Sequence, residues 1–174
     1  MIRLIPFFLL IFLFACRAEP QIKKKKSSWS KAHSVDFNQE LNARETLKIK
    51  LFLAHHKDLK MDSLISLSGL RFMKYFQGSG ETLAKAGDEA LVKLKIELLD
   101  GRVCYETETD EIERLVIAKS EKESGIHEAL LLMRKGDKAK LILPSYLGHG
   151  LLGDRMKIPP QSALYIDLQL IDIK

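Results

Sequence analysis

Residues 138–160, KAKLILPSYLGHGLLGDRMKIPP, constrain this chain more than any other stretch. Ala139, Leu141 and Leu143 alternate with Lys138, Lys140 and Ile142, the period of two of a half-buried strand. Pro144 ends the run, because proline has no N–H to give to a ladder. A loop broken by Gly148, Gly150 and Gly153 follows and closes on Pro159-Pro160. A last alternating strand over 163–171 puts Leu164, Ile166, Leu168 and Leu170 on one face.

The loop contains Gly148-His149-Gly150-Leu151-Leu152-Gly153, literally the G-x-G-x-x-G of dinucleotide sites. That fingerprint works only where a helix starts within the glycines and turns its N-terminus to the pyrophosphate. Here DRMK and then Ile158-Pro159-Pro160 follow, which leaves no room for a crossover helix. The nucleotide reading is rejected. Gly78-Ser79-Gly80 fails as a P-loop for a similar reason, since no G-K-[ST] follows it.

Upstream the same period of two recurs. Ala90, Val92, Leu94, Ile96 and Leu98 alternate with Leu91, Lys93, Lys95, Glu97 and Leu99, Asp100-Gly101 makes a hairpin turn, and 103–107 returns. Gly87-Asp88 marks a turn, and Leu115 with Ile117 a short strand. Between these strands and the last two, Ile126, Ala129, Leu130 and Met133 fall at i, i+3, i+4 and i+7, behind Ser124 as cap and ahead of Lys135-Gly136 as stop. Strands of period two around one short apolar helix imply an α+β sheet wrapped on that helix.

Several motifs carry a family resemblance. They are Ser68-Gly69-Leu70-Arg71-Phe72 leading to Gly78-Ser79-Gly80, Gly125-Ile126 through Gly136-Asp137, and Pro144-Ser145, Leu147, Gly150 and Ile158-Pro159-Pro160. Together they resemble FKBP-type peptidyl-prolyl cis-trans isomerases from about Ser68 to the C-terminus. Ser124-Gly125-Ile126-His127-Glu128-Ala129-Leu130, with Gly153-Asp154 and Lys157-Ile158, is also similar to gliding-motility-associated FKBP-like lipoproteins. The resemblance implies an antiparallel sheet wrapped around one short helix, with a loop overhanging an apolar pocket for a proline.

It also implies the site: Leu94, Tyr105, Ile126, His149, Ile158 and Ile166. Many family aromatics are replaced. Ile126 stands where Trp or Leu is usual, Leu94 and Ile166 where aromatics are, and His149 where Tyr precedes the glycine and donates to a substrate carbonyl. Cys104-Tyr105 replaces a Phe-Asp pair, so the buried acid is expected to be missing. Glu121-Lys122-Glu123 replaces an apolar pair that contacts ligand. The same apolar residues have a plainer reading as core packing. Prolyl isomerisation requires no nucleophile, and neither a cofactor nor a metal is expected. His55-His56 are adjacent and point about 100° apart on a helix, and no H-E-x-x-H occurs.

The N-terminus reads as an address. Arg3 and an apolar run from Leu4 to Phe14 resemble a signal peptide, too short for the roughly 20 residues of a membrane span. Leu13-Phe14-Ala15-Cys16 resembles a bacterial lipobox, with Cys16 as the lipidated residue; the alternative is an ordinary cleavage site beside an unrelated cysteine. The remaining cysteine, Cys104, is expected to be a small buried apolar residue. The expected organisation is a signal over 1–15, a flexible tether over 16–33, a helical extension over 34–60 and the FKBP-type domain over 61–174.

In the extension Ser34 is a candidate cap, and Phe37, Leu41, Leu47, Leu51 and Ala54 fall roughly at helical spacing. The domain is expected to fold without it. The formal charge of +5 suggests nucleic acid until its location is considered. Of 28 basic residues, seven (Arg3, Arg17, Lys23, Lys24, Lys25, Lys26 and Lys31) lie in the signal and tether, leaving 21 against 22 acidic ones once Glu19 is set aside. No basic footprint for nucleic acid remains.

The expected function is isomerisation of X-Pro bonds in exported or envelope proteins. The expected location is a lipid-anchored one in the cell envelope, at the outer membrane facing the periplasm. The alternative is a non-catalytic FKBP-like binding or chaperone module of an envelope assembly.

Overall fold

The computed structural model describes residues 31–61 and 66–174. The signal-like segment, Cys16 and the tether up to residue 30 lie outside the described residues. In chain order the elements are α1 (Lys31–His55), β1 (Arg71–Phe76), β2 (Glu89–Leu98), β3 (Val103–Glu106), β4 (Glu113–Val116), α2 (Ser124–Leu130), β5 (Lys138–Leu143) and β6 (Leu164–Ile173), with a 3-10 turn at Ser145–Leu147.

The strands form one six-stranded sheet of order β1-β5-β6-β2-β3, in which β4 also pairs with β2. Every pairing is antiparallel. β3 and β4 share one edge of β2, opposite Lys95–Glu97 and Glu89–Val92 respectively. The expected α+β sheet around one short helix is therefore the fold observed. The alternation of β2 and β6 explains why: Ala90, Val92, Leu94, Ile96 and Leu98 with Leu164, Ile166, Leu168 and Leu170 are buried on one face. That face closes on Ile126, Ala129 and Leu130 of α2, and Cys104 joins the same core.

Two helix ends differ from expectation. Glu123, not Ser124, is the N-cap residue of α2, and the Ser124 hydroxyl donates to the Leu147 carbonyl instead. The helix also stops at Leu130. Met133 is nonetheless fully buried beyond the helix, and its carbonyl accepts from the Ala84 N–H. Gly136, at φ 83, then reverses the chain into β5.

Asp137 ties this turn to β1. Its carboxylate accepts from the backbone N–H of Gly78 (2.7 Å) and Arg134 (2.8 Å) and pairs with Lys74 Nζ at 2.5 Å. Gly78 approaches so closely that a Cβ there would overlap the backbone of Lys135 and Gly136. That contact explains a glycine at this position of the Gly-Ser-Gly turn.

α1 docks on the sheet. It begins by Lys31, so Ser34 sits inside it rather than at its cap. Phe37, Leu47 and Leu51 are exposed, whereas Glu45, Ile49 and Leu53, four residues apart, form the buried stripe. The apolar positions read from sequence are distributed over two faces, and only one docks. Ile49 and Leu53, with Leu59 and Met61, cover Ile142 and Ala163 on the back of the sheet.

Glu45 reaches through this contact to the start of the long loop. Its carboxylate accepts from the Ser145 N–H at 2.7 Å and from the Ser145 hydroxyl at 3.0 Å. Glu45→Ala is expected to lower unfolding stability by about 1–3 kcal/mol, the cost of leaving a buried backbone donor unsatisfied. Denaturant unfolding of the substituted protein checks this; an unchanged midpoint would mean that water replaces the two bonds to Ser145.

Candidate active site

β5 ends at Pro144, and the chain from Ser145 to Ala163 crosses one end of the sheet. The 3-10 turn is closed by Leu147 N–H to Pro144 O (2.9 Å) and Gly150 N–H to Ser145 O (2.7 Å), and Gln161 N–H returns to Gly150 O (3.0 Å). No helix follows Gly153, in keeping with the rejection of a nucleotide loop.

The far part of the loop is organised by Asp154. Its Oδ1 accepts from the N–H of Met156 and of Ile158, each at 2.8 Å, and its other oxygen accepts from the Tyr105 hydroxyl. The Asp154 N–H in turn reaches Ile158 O at 3.1 Å. Gly153 stands at φ 65 with the Ile158 carbonyl against it, where a side chain would be strained and overlapping. Burial works to raise the Asp154 pKa, but the Tyr105 hydroxyl and the two backbone donors outweigh it and hold the group at about 2. The same bond, with burial second, pushes the Tyr105 hydroxyl up.

Between this loop, β2, β3 and the segment before α2 lies a cleft of about 1250 Å³. Leu94, Tyr105 and His149 line it. Ile126, Ile158 and Ile166 do not: they are 0%, 2% and 0% exposed and belong to the core beneath. Tyr105, at the position where the resemblance would place an acid, donates across the cleft to the half-buried carboxylate of Asp154.

A second polar pair also escaped the sequence. His149 Nε2 lies 2.8 Å from Glu123 Oε1. An ionised carboxylate only accepts, so the ring donates from Nε2. The donor expected to meet a substrate carbonyl thus already has a partner. Glu123 itself is held by the segment before α2, and there His127 is the clamp. Its Nδ1 accepts from the Ala118 N–H at 3.0 Å and its Nε2 donates to Ser120 O at 3.1 Å. The only sequence signal for these roles was Glu123 standing where an apolar residue is usual, and an Asp after Gly153 in a loop, a residue type that bonds the backbone two residues on.

Comparison with known proteins gives one consistent result. The family model for FKBP-type peptidyl-prolyl cis-trans isomerase matches residues 80–171. A protein of Trypanosoma cruzi called macrophage infectivity potentiator is 34% identical over 125 residues, covering 72% of this chain and 63% of that protein. The FKBP-type peptidyl-prolyl cis-trans isomerase FkpA of Buchnera aphidicola is 29% identical over 155 residues, covering 88% and 59%. The crystal structure of FkpA from Escherichia coli superimposes with a TM-score of 0.64 at 27% identity, covering 81% of this chain and 64% of that one. The chain thus spans about three fifths of the length of these relatives.

Proposed function

Since the chain belongs to the FKBP-type peptidyl-prolyl cis-trans isomerase family, we propose that it isomerises X-Pro bonds in exported or envelope proteins. The barrier to rotation is amide resonance, about 18–20 kcal/mol. A twisted amide has lost that resonance and is less polar, so a water-poor cleft favours it over the planar ground state. Each 1.4 kcal/mol or so of this difference is worth about tenfold in rate. The observation that carries the reading is the cleft itself, with Leu94 and Tyr105 on its wall and His149 on a loop fastened by Asp154.

In this reading Leu94 and Tyr105 contact the proline segment. Ile126, Ile158 and Ile166 support the floor from below, and His149 shares its Nε2–H between Glu123 and the substrate carbonyl. His149→Ala is expected to lower kcat/KM by roughly fivefold, the worth of about 1 kcal/mol for one net hydrogen bond. His149→Tyr restores a donor and is expected to match or exceed wild type. Exchange spectroscopy on an X-Pro peptide reads all three, and indistinguishable rates would mean that the loop does not touch substrate.

One observation favours a second reading, a non-catalytic binding or chaperone module. The three isoleucines are sealed from the cleft, which narrows the apolar surface left for a proline ring. Peptide binding without faster exchange would decide for it.

The proposed organisation remains a signal over 1–15, a tether over 16–33, a helical extension over 34–60 and a domain over 61–174, with the chain anchored in the envelope through lipid on Cys16 and facing the periplasm. It is supported by the sequence ending Leu13-Phe14-Ala15-Cys16 after an apolar run. Cys16→Ser is expected to leave unprocessed precursor and abolish labelling by a radioactive fatty acid. Undiminished labelling would contradict the anchor.

A further inference from the structure

Six carboxylates line the cleft against three basic side chains. Two of those three are engaged: Lys122 pairs with Glu113 at 2.5 Å, and Arg114 reaches Glu89 at 3.7 Å. The third, Lys157, lies over the Tyr105 ring with Nζ 4.9 Å from its centroid. The Asp154 carboxylate is satisfied by Tyr105 and two backbone donors.

Glu123 is different. Its side chain is only 8% exposed, and one oxygen accepts from His149. The other, Oε2, is buried with no partner among the described residues. A buried carboxylate oxygen that lacks a donor is destabilising, and an opposite charge brought within a few ångströms compensates it strongly because little water intervenes. Glu123 thus sets at the cleft wall a carboxylate of which one oxygen is bonded and the other is not.

We infer that Glu123 is a specificity-determining residue that selects X-Pro segments carrying a lysine or arginine beside the proline and disfavours acidic ones. The inference rests on the reading that the cleft receives a proline segment. With the Glu123 carboxylate turned toward the cleft, the cation of such a segment supplies the donor that Oε2 lacks, and the surplus of carboxylates around the cleft attracts it before contact. It also competes with His149 for Glu123, which frees the Nε2–H for the substrate carbonyl.

The test uses the purified protein and three end-blocked peptides, Ala-Xaa-Pro-Phe with Xaa as Lys, Leu or Glu. Proline exchange rates and binding affinities are read by NMR in the same samples. The Lys peptide is expected to exceed the Leu peptide by roughly tenfold in kcat/KM, the scale of one charge-assisted hydrogen bond. The Glu peptide is expected to be the poorest. In Glu123→Gln the Lys-to-Leu ratio is expected to fall close to one. Equal values for Lys and Leu in the wild-type protein overturn the inference, as does a ratio that survives Glu123→Gln. If no peptide exchanges faster, the isomerase reading fails by itself. The affinities still decide the selectivity: Lys tightest upholds it, and any other order overturns it.

Discussion

Asp137→Ala is expected to lower the unfolding free energy by about 3–5 kcal/mol, a large share of the roughly 5–15 kcal/mol available to a domain. Asp137 is fully buried, and the substitution removes several bonds at once. Gly78 and Arg134 each lose the acceptor of a backbone N–H, and Lys74 loses its partner. The affected segments are β1, the turn after α2 and the start of β5, so the damage is not local. Asp137→Asn keeps one acceptor oxygen and is expected to fall between Ala and wild type. Equilibrium denaturation measures both, and a loss under about 1 kcal/mol for Ala would show that water replaces these bonds.

The same residue sets an acid limit. Burial works to raise its pKa, but the Lys74 ammonium and the two N–H donors prevail and hold it below the ordinary carboxylate range. A depressed folded-state pKa contributes stability that is present above the unfolded value, about 3.9, and is lost as pH falls through the folded one. Wild-type stability is therefore expected to drop below about pH 4, and Asp137→Ala to show a shallower drop.

Asp154→Ala is expected to reduce isomerase activity about a hundredfold, the scale of misplacing groups by an ångström or so at a reacting centre. Without the carboxylate, Met156, Ile158 and Tyr105 lose their common acceptor, and the loop that carries His149 is no longer held over the cleft. Tyr105→Phe removes only one of the three bonds and is expected to be milder. Because Asp154 ionises at about 2, its fastening persists as pH falls and fails only toward that value. A slow but normally folded Asp154→Ala protein fits the account. Full activity in that protein would detach the loop from the chemistry.

The strands were legible because each buries one face, and a period of two leaves a plain trace: β2, β5 and β6 read directly from Ala90, Ala139 and Leu164 onward. Pro144 and Asp100-Gly101 fixed their ends. α1 was legible as a helix but not as a docked one, since its buried stripe includes Glu45, which is polar and is justified only by Ser145, 100 residues away. The polar pairings of the cleft were not legible for the same reason. Asp154 and Tyr105 stand 49 residues apart, and Glu123 and His149 26 apart. Neither pairing has any local period. Ile126, Ile158 and Ile166 were legible as apolar, but sequence alone does not separate a pocket wall from the core beneath it.

The central claim is that this cleft accelerates prolyl rotation. Uncatalysed X-Pro isomerisation takes tens to hundreds of seconds at 25 °C. Its acceleration is measured most directly by exchange spectroscopy on the cis and trans signals of an end-blocked Ala-Lys-Pro-Phe peptide with a catalytic amount of the protein. The account expects exchange cross-peaks at mixing times well under a second, absent without protein and weakened about a hundredfold in rate by Asp154→Ala. Cis and trans signals that shift on binding but exchange no faster than in free peptide would contradict it.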